Sequence, residues 1–293
     1  MKIRIGVGFA AVPGREFAAR VDTAEALGVD SLWLSEQLSA ASVDPLAGMA
    51  YALGRTSSIK VGTGVAVLPG RNPVLLAKQL ATMAALAPRR VLPVLGLGPA
   101  RPAERDAFPV PAGRRGAVFD EALQLLRRML AEETVTFRGE FFDVTDIGIG
   151  DRPARPLDIW LGGAAPAALR RIGRYGDGWL ASLVDPAEAA AGIAAINAAA
   201  AEAGREVDPE HHGLSLRIAF GEVPAATAAA LRGRRPERDP ADLVPRGWAQ
   251  ARELVARYVD AGVSKFVVYP LIDSAGWPEF LDGFARELMP LET

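Results

Sequence analysis

Cysteine is absent from this sequence. Disulfides, thiolate nucleophiles and cysteine-ligated metals are excluded with it. Histidine occurs only as the adjacent pair His211 and His212, which reads as a surface pair in the approach to a strand. That leaves no evident histidine base, no Ser-His-Asp arrangement and no metal site. Lysine is scarce too: Lys2, Lys60, Lys78 and Lys265 are the four, and arginine makes up the other 29 of the 33 basic residues. No apolar run approaches the roughly 18 residues of a membrane span. The opening MKIRIGVGF lacks the length and cleavage site of a signal peptide and reads as a first strand. An excess of one charge sign is missing as well; the net charge of −2 calls for neither nucleic acid nor an anionic membrane. These absences point to a cytoplasmic protein whose partner is a small-molecule substrate.

What is present is ample for a large core: 293 residues, half of them hydrophobic. Strand-like and helix-like stretches alternate from end to end. Strands are expected at 3–9, 31–35, 59–68, 91–97, 157–161, 179–182, 214–220 and 265–271. Between them, Phe17, Val21 and Ala24 recur at helical spacing, with Gly28 as a C-cap. Asp44-Pro45 is an N-cap followed by proline in the first turn. Helices are also expected at 73–86, 166–175, 248–261 and 278–288, and around the apolar stripe from Val118 to Met129. Asp185 and Glu188 form a capping box opening a helix to about Ala203. Eight βα units in one chain predict a closed parallel (β/α)8 TIM barrel as a single domain, 1–293, since such barrels run to ~250 residues. An open doubly wound sheet is the alternative. The stretch 134–156 reads as an insertion with a hairpin around Arg138-Gly139.

In such a barrel, function sits on the loops that follow strands. Gly162-Gly163-Ala164-Ala165-Pro166 is a double glycine leading into a helix. Free N–H groups there suit a phosphate, although an ordinary tight turn explains the motif equally. Gly96-Leu97-Gly98 lacks the third glycine of a dinucleotide fingerprint, since Arg101 stands in its place. Glu36-Gln37 ends the second strand, where a carboxylate is either an acid–base group or a solvated loop residue. The stretch 224–245, with Arg232, Arg234, Arg235 and Arg238, reads as a lid meeting an anionic tail or as a solvated charged loop. Arg101, Arg105, Arg114 and Arg115 carry the same two readings.

The run Ile59 to Val65, continuing through Leu68-Pro69 and Arg71-Asn72-Pro73 to Ala77-Lys78-Gln79-Leu80-Ala81-Thr82, closely resembles the luciferase-like monooxygenase superfamily. Gly96-Leu97-Gly98, Gly139 with Phe141-Phe142, Gly162-Gly163 and Asp177-Gly178-Trp179 follow in that family's order. The resemblance implies a barrel using coenzyme F420 or FMN, and F420 is favoured by the likeness of Thr63-Gly64-Val65 to F420-dependent members. It implies a cis peptide at Gly64-Val65 behind the cofactor ring, and Gly162, Gly163, Ala164 and Ala181 at its phosphate. Phe9, Glu36, Thr63 and Gly98 complete the implied cofactor site, Glu36 and Gln37 are the implied catalytic pair, and a homodimer is the implied assembly. Two positions depart from the dehydrogenases of that family. Gln37 replaces a histidine and cannot exchange protons as imidazole does, and Pro99-Ala100 stands where a glutamate is expected. The expectation is therefore an F420-dependent reductase. The alternatives are an FMN-dependent monooxygenase and a non-redox phosphate-binding or non-catalytic barrel.

Overall fold

The structure is a computed structural model that describes residues 1–10, 12–272 and 276–293. The chain runs β1 (Arg4–Phe9), α1 (Gly14–Ala26), β2 (Ser31–Leu34), α2 (Pro45–Arg55), β3 (Lys60–Thr63), β4 (Ala66–Val67), α3 (Pro73–Leu86), β5 (Val91–Leu92), β6 (Val94–Gly96), α4 (Arg115–Ala131), β7 (Val135–Arg138) and β8 (Asp143–Ile147). It continues with β9 (Trp160–Gly162), α5 (Pro166–Tyr175), β10 (Gly178–Ser182), α6 (Pro186–Glu202), β11 (His212–Ala219), α7 (Ala225–Arg234), α8 (Pro240–Leu243), α9 (Gly247–Asp260), β12 (Lys265–Leu271) and α10 (Trp277–Glu287). Local chemistry sets the helix starts. The Asp44 carboxylate accepts from Ala47 N at 2.9 Å, Asn72 accepts from Val74 N at 2.9 Å, and Asp185 accepts from Glu188 N at 2.8 Å. Glu188 returns the bond to Asp185 N at 2.8 Å, which completes the capping box.

The strands form a curled parallel sheet in the order β4-β6-β9-β10-β11-β12-β1-β2-β3-β5, with β7 and β8 as a separate antiparallel hairpin. The third and fourth strands differ from the sequence expectation, because each is interrupted. The third breaks at Gly64 and Val65, where the peptide is cis, and the fourth breaks at Pro93, which has no N–H to give a ladder. Thr63 bridges the second break: its hydroxyl donates to Val94 O at 2.7 Å and accepts from Val94 N at 2.8 Å. The fifth strand starts late, at Trp160 rather than Leu157, because Ile159 N donates to the Asp177 side chain at 2.9 Å instead of to a neighbouring strand.

Two apolar layers hold this frame. The outer one packs helices on the sheet through residues such as Val21, Leu80, Leu126 and Phe284. The inner one is smaller: Trp33, Val94, Trp160, Leu180, Val267 and Tyr269 fill the concave side. Glycines make room for its rings. A Cβ on Gly8 would lie 2.2 Å from Tyr269, one on Gly62 2.7 Å from Trp33, and one on Gly178 2.4 Å from Trp160. Interiors are packed too tightly to take such an added atom without moving something.

Two sequence readings are corrected here. The histidines are not a surface pair. His212 opens β11 and is buried, with neither ring nitrogen hydrogen-bonded, and His211 Nδ1 lies 2.8 Å from Asp177 O. Strand pairing draws them in, since Trp179 and His212 are direct neighbours across β10 and β11. Nor is 224–245 a loop; it holds α7 and α8. Arg235 and Arg238 there are tied down, to Glu188 at 2.6 Å and to Asp185 at 2.5 Å. The stretch 134–156 holds the expected hairpin, formed by β7 and β8. Its turn N–H groups at Glu140, Phe141 and Phe142 all donate to Glu121 of α4, at 2.8 to 2.9 Å.

Candidate active site

At the C-terminal ends of the strands lies a cavity of about 510 Å³. A larger hollow of about 1160 Å³ opens at the opposite end, between Trp33, Trp160 and the 152–158 stretch. The smaller one is the candidate site, because ligands of parallel α/β sheets bind beyond the carboxyl ends of the strands. The structure brings Glu36, Gln37, Gly64, Val65, Gly98, Gly162, Gly163 and Ala164 to its wall. Phe9, Thr63 and Ala181 do not reach it. Successive strand residues face opposite sides, so Leu180 and Ser182 line the cavity while Ala181 is buried behind them. Phe9 turns outward onto Phe17 and Trp277, and Thr63 is spent on the Val94 backbone.

The floor is nearly free of side chains. Val65 approaches both neighbouring strands: a Cβ on Gly96 would sit 2.4 Å from it and one on Gly162 2.9 Å. Gly163 has φ of 117°, a conformation that suits glycine. Trp179 fixes this turn by donating its indole N–H to Gly163 O at 2.7 Å. Helix α5 starts three residues later, at Pro166, with no side-chain cap; Ala168 N and Leu169 N donate to Ala165 O, which leaves the Ala167 N–H as its first-turn donor for a ligand.

Glu36 is neither a solvated loop residue nor a loose carboxylate. It is buried, and Arg71 grips both of its oxygens, one at 2.8 Å; Val67 N donates to it at 2.7 Å. Burial works against the Arg71 charge, but Glu36 more than offsets this and holds the guanidinium above its usual pKa. The motif Arg71-Asn72-Pro73 thus divides its labour between an ion pair, a helix cap and a first-turn proline. Gln37 Nε2 donates to Ala10 O. Among the arginines after the fourth strand, Arg114 pairs with Glu140 at 2.6 Å and Arg115 donates to Phe108 O at 2.8 Å.

The sequence reading missed Ser35, Arg217 and Tyr269, which also line the cavity. Ser35 donates to Gly64 O at 3.1 Å and lies 3.5 Å from the Tyr269 hydroxyl. Burial pushes the Tyr269 phenol above its usual pKa, against the opposing pull of Ser35 and Arg217. The signal for Arg217 was present: a charged residue inside the apolar run Leu214 to Phe220.

A parallel sheet with glycine-lined turns and a helix start at one end is the layout of a cofactor-binding α/β enzyme. The chain matches the luciferase-like monooxygenase family over residues 4–265 and belongs to that family. It is 28% identical to an F420-dependent glucose-6-phosphate dehydrogenase of Intrasporangium calvum, with 94% of each chain covered. It is 30% identical to an F420-dependent hydroxymycolic acid dehydrogenase of Mycobacterium tuberculosis, covering 87% of this chain and 79% of that one. Among solved structures it is similar in fold to an F420-dependent secondary alcohol dehydrogenase in complex with an F420–acetone adduct, at a TM-score of 0.83, 20% identity and full coverage of both chains.

Proposed function

We propose that this protein is an F420-dependent oxidoreductase on a closed (β/α)8 barrel, working as a reductase of an activated C=C or C=O bond. Closure is supported by the pairings: β3 with β5 and β4 with β6 join the two halves of the third strand to the two halves of the fourth, and β1 with β12 and β6 with β9 continue the ring. Coenzyme F420 is supported by the F420-dependent relatives and by the fit of the cavity. Its wall at Gly96 and Gly162 is bare backbone, since a Cβ there would lie 2.4 and 2.9 Å from Val65, and this lets Val65 lie against both strands under the cavity. Gly64, Val65 and Gly98 would hold the ring, and Gly162, Gly163 and Ala164 its phosphate, on the N–H groups before α5. When bound, F420 supplies a two-electron hydride carrier.

The observation that carries the direction is the absence of a free base. Among the described residues lining the cavity there is no histidine, and the one carboxylate, Glu36, is held by Arg71. Oxidising an alcohol needs a group to accept its proton. Reduction needs only a donor, and the Tyr269 hydroxyl, kept protonated by burial, or solvent serves. Glu36 is then a positioning residue that fixes Arg71 and the turn at Val67. The test is turnover with purified F420 in both directions. Reduced F420 should be consumed with activated alkenes or ketones, while oxidised F420 with alcohols or sugar phosphates should give little. Faster alcohol oxidation would reverse the assignment.

We also infer a homodimer, through the apolar Tyr51, Leu75 and Leu86 exposed on α2 and α3. Sedimentation of the wild type and of Leu75→Glu tests this. A monomeric wild type would remove it.

A further inference from the structure

Most arginines that pack into this protein are matched to a carboxylate. Arg71 has Glu36, Arg127 and Arg205 share Asp177, Arg171 has Asp120, and Arg235 has Glu188. Arg217 is an exception. It stands in the middle of β11, with Leu216 and Ile218 buried on either side. Its guanidinium makes no hydrogen bond or ion pair with any described residue, yet it lines the 510 Å³ cavity. Register fixes its direction. Arg217 pairs with Tyr269 on β12, so both side chains leave the sheet on the concave side, and Ser215 two residues earlier lines the same wall. A second arginine, Arg234 at the end of α7, reaches the cavity and is exposed, again with no carboxylate among the described residues.

Two like charges on one wall repel, and burial disfavours that of Arg217 further. In Arg217 burial pushes the guanidinium below its usual pKa, Tyr269 opposes this and Arg234 adds to it. A small anion between them would relieve that cost, and guanidinium binds carboxylates in a bidentate geometry. The anionic phosphate of the cofactor already has a place, on the Gly162–Ala165 turn, and β10 lies between that turn's strand and β11. The Gly64–Val65 wall faces β12 across the concave side, where the Tyr269 hydroxyl lies 3.5 Å from Gly64 O.

We propose that Arg217 is the residue that recognises substrate charge, and that the substrates are organic acids whose carboxylate sits against Arg217, with Ser215 as a neighbouring hydroxyl donor. The identity of the bond reduced rests on the F420-reductase reading; the anion site rests on the geometry of β11 and β12 alone. A carboxylate conjugated to the reducible bond is the expected form, because Arg217 then holds the acid end while the bond lies toward the glycine floor.

The test is calorimetric titration with benzoate and with neutral benzamide, each with and without F420. Wild-type protein should bind benzoate roughly tenfold or more tightly than benzamide, the worth of a charge-assisted contact. Arg217→Met should erase that preference, Arg217→Lys should keep part of it, and F420 affinity should stay within about threefold in both. Melting temperatures of the two variants establish that each is folded. Equal binding of the two probes, no benzoate binding, or a preference that survives Arg217→Met would overturn the proposal. So would a collapse of F420 affinity in Arg217→Met with the benzoate preference intact, which would give Arg217 to the cofactor. If no protein binds F420 while the benzoate preference tracks Arg217, the redox reading fails and the anion site stands.

Discussion

At the N-terminal end of the sheet Asp177 receives Arg127 at 2.6 Å and Arg205 at 3.0 Å, while at the C-terminal end Arg217 lines a cavity without a carboxylate partner of its own among the described residues. The inner packing differs in the same sense. At the N-terminal end Trp33 and Trp160, with Lys265 5.4 Å over the Trp160 ring, form the wall of the 1160 Å³ hollow. The C-terminal end is lined by Gly64, Gly96, Gly98, Gly162 and Gly163 and stays open. One end surrounds its hollow with large rings and matched charges. The other gives up packing and pairing to make room. The lesson is that a paired arginine in this protein holds structure, whereas an unpaired one lining a cavity marks a binding surface.

The comparison predicts where substitutions change stability and where they change binding. The largest effect on stability is expected from Asp177→Ala. It strands Arg127 and Arg205 and removes the acceptor of Ile159 N. A loss of about 3 kcal/mol in denaturant unfolding is expected, from two half-buried ion pairs together with the stranded Ile159 N–H. Cofactor affinity of the folded fraction should be unchanged. A loss under about 1 kcal/mol would show that the network is merely a surface one.

His212, at the same end, gives a pH signature. Burial first, and His211 second, lower it from 6.5 to about 4. The unfolded chain therefore takes up a proton near pH 6.5 that the folded one refuses until about pH 4. The stabilising contribution is present above pH 6.5 and is lost as pH falls through that window, by about 2–3 kcal/mol. Unfolding titrations between pH 7 and pH 4 should show this slope, and His212→Leu should flatten it. An equal slope in His212→Leu would assign the effect to other groups.

Gly8→Ala tests the inner packing near the open end. Its Cβ would lie 2.2 Å from the Tyr269 ring, so a loss of about 2 kcal/mol is expected from overpacking. Tyr269 would be displaced with it, and turnover should fall further than stability explains. Unaltered turnover would argue that Tyr269 has no part in the chemistry. The smallest change is expected for Trp179→Phe. It removes the indole bond to Gly163 O, worth about 1 kcal/mol of stability. Titration should nevertheless show weaker cofactor binding, because that bond orients the Gly162-Gly163 turn.

Much of the frame was legible in the sequence because capping chemistry is local. Asn72-Pro73 and Pro166 mark α3 and α5 at the bounds the sequence predicts, 73–86 and 166–175. The alternation of apolar strands with amphipathic helices likewise placed the cavity-forming ends. What the sequence alone did not show is set by contacts far apart in the chain. Tyr269 matters because Gly8 and Gly64 leave space for it, 261 and 205 positions away in the chain. Glu36 reads as an acid–base group or a solvated loop residue until Arg71, 35 positions on, is seen across both of its oxygens. His212 reads as exposed until its pairing with Trp179 buries it. In each case the residue type was visible and the partner was not.

The measurement that bears most directly on the central claim is a fluorescence titration of the purified protein with F420 and, separately, with FMN. The account predicts saturable F420 binding at micromolar concentration or tighter, far weaker FMN binding, and loss of F420 binding when Gly163 is changed to a bulky residue. Tight FMN binding with weak F420 binding would contradict it and make the protein a flavin-dependent oxygenase.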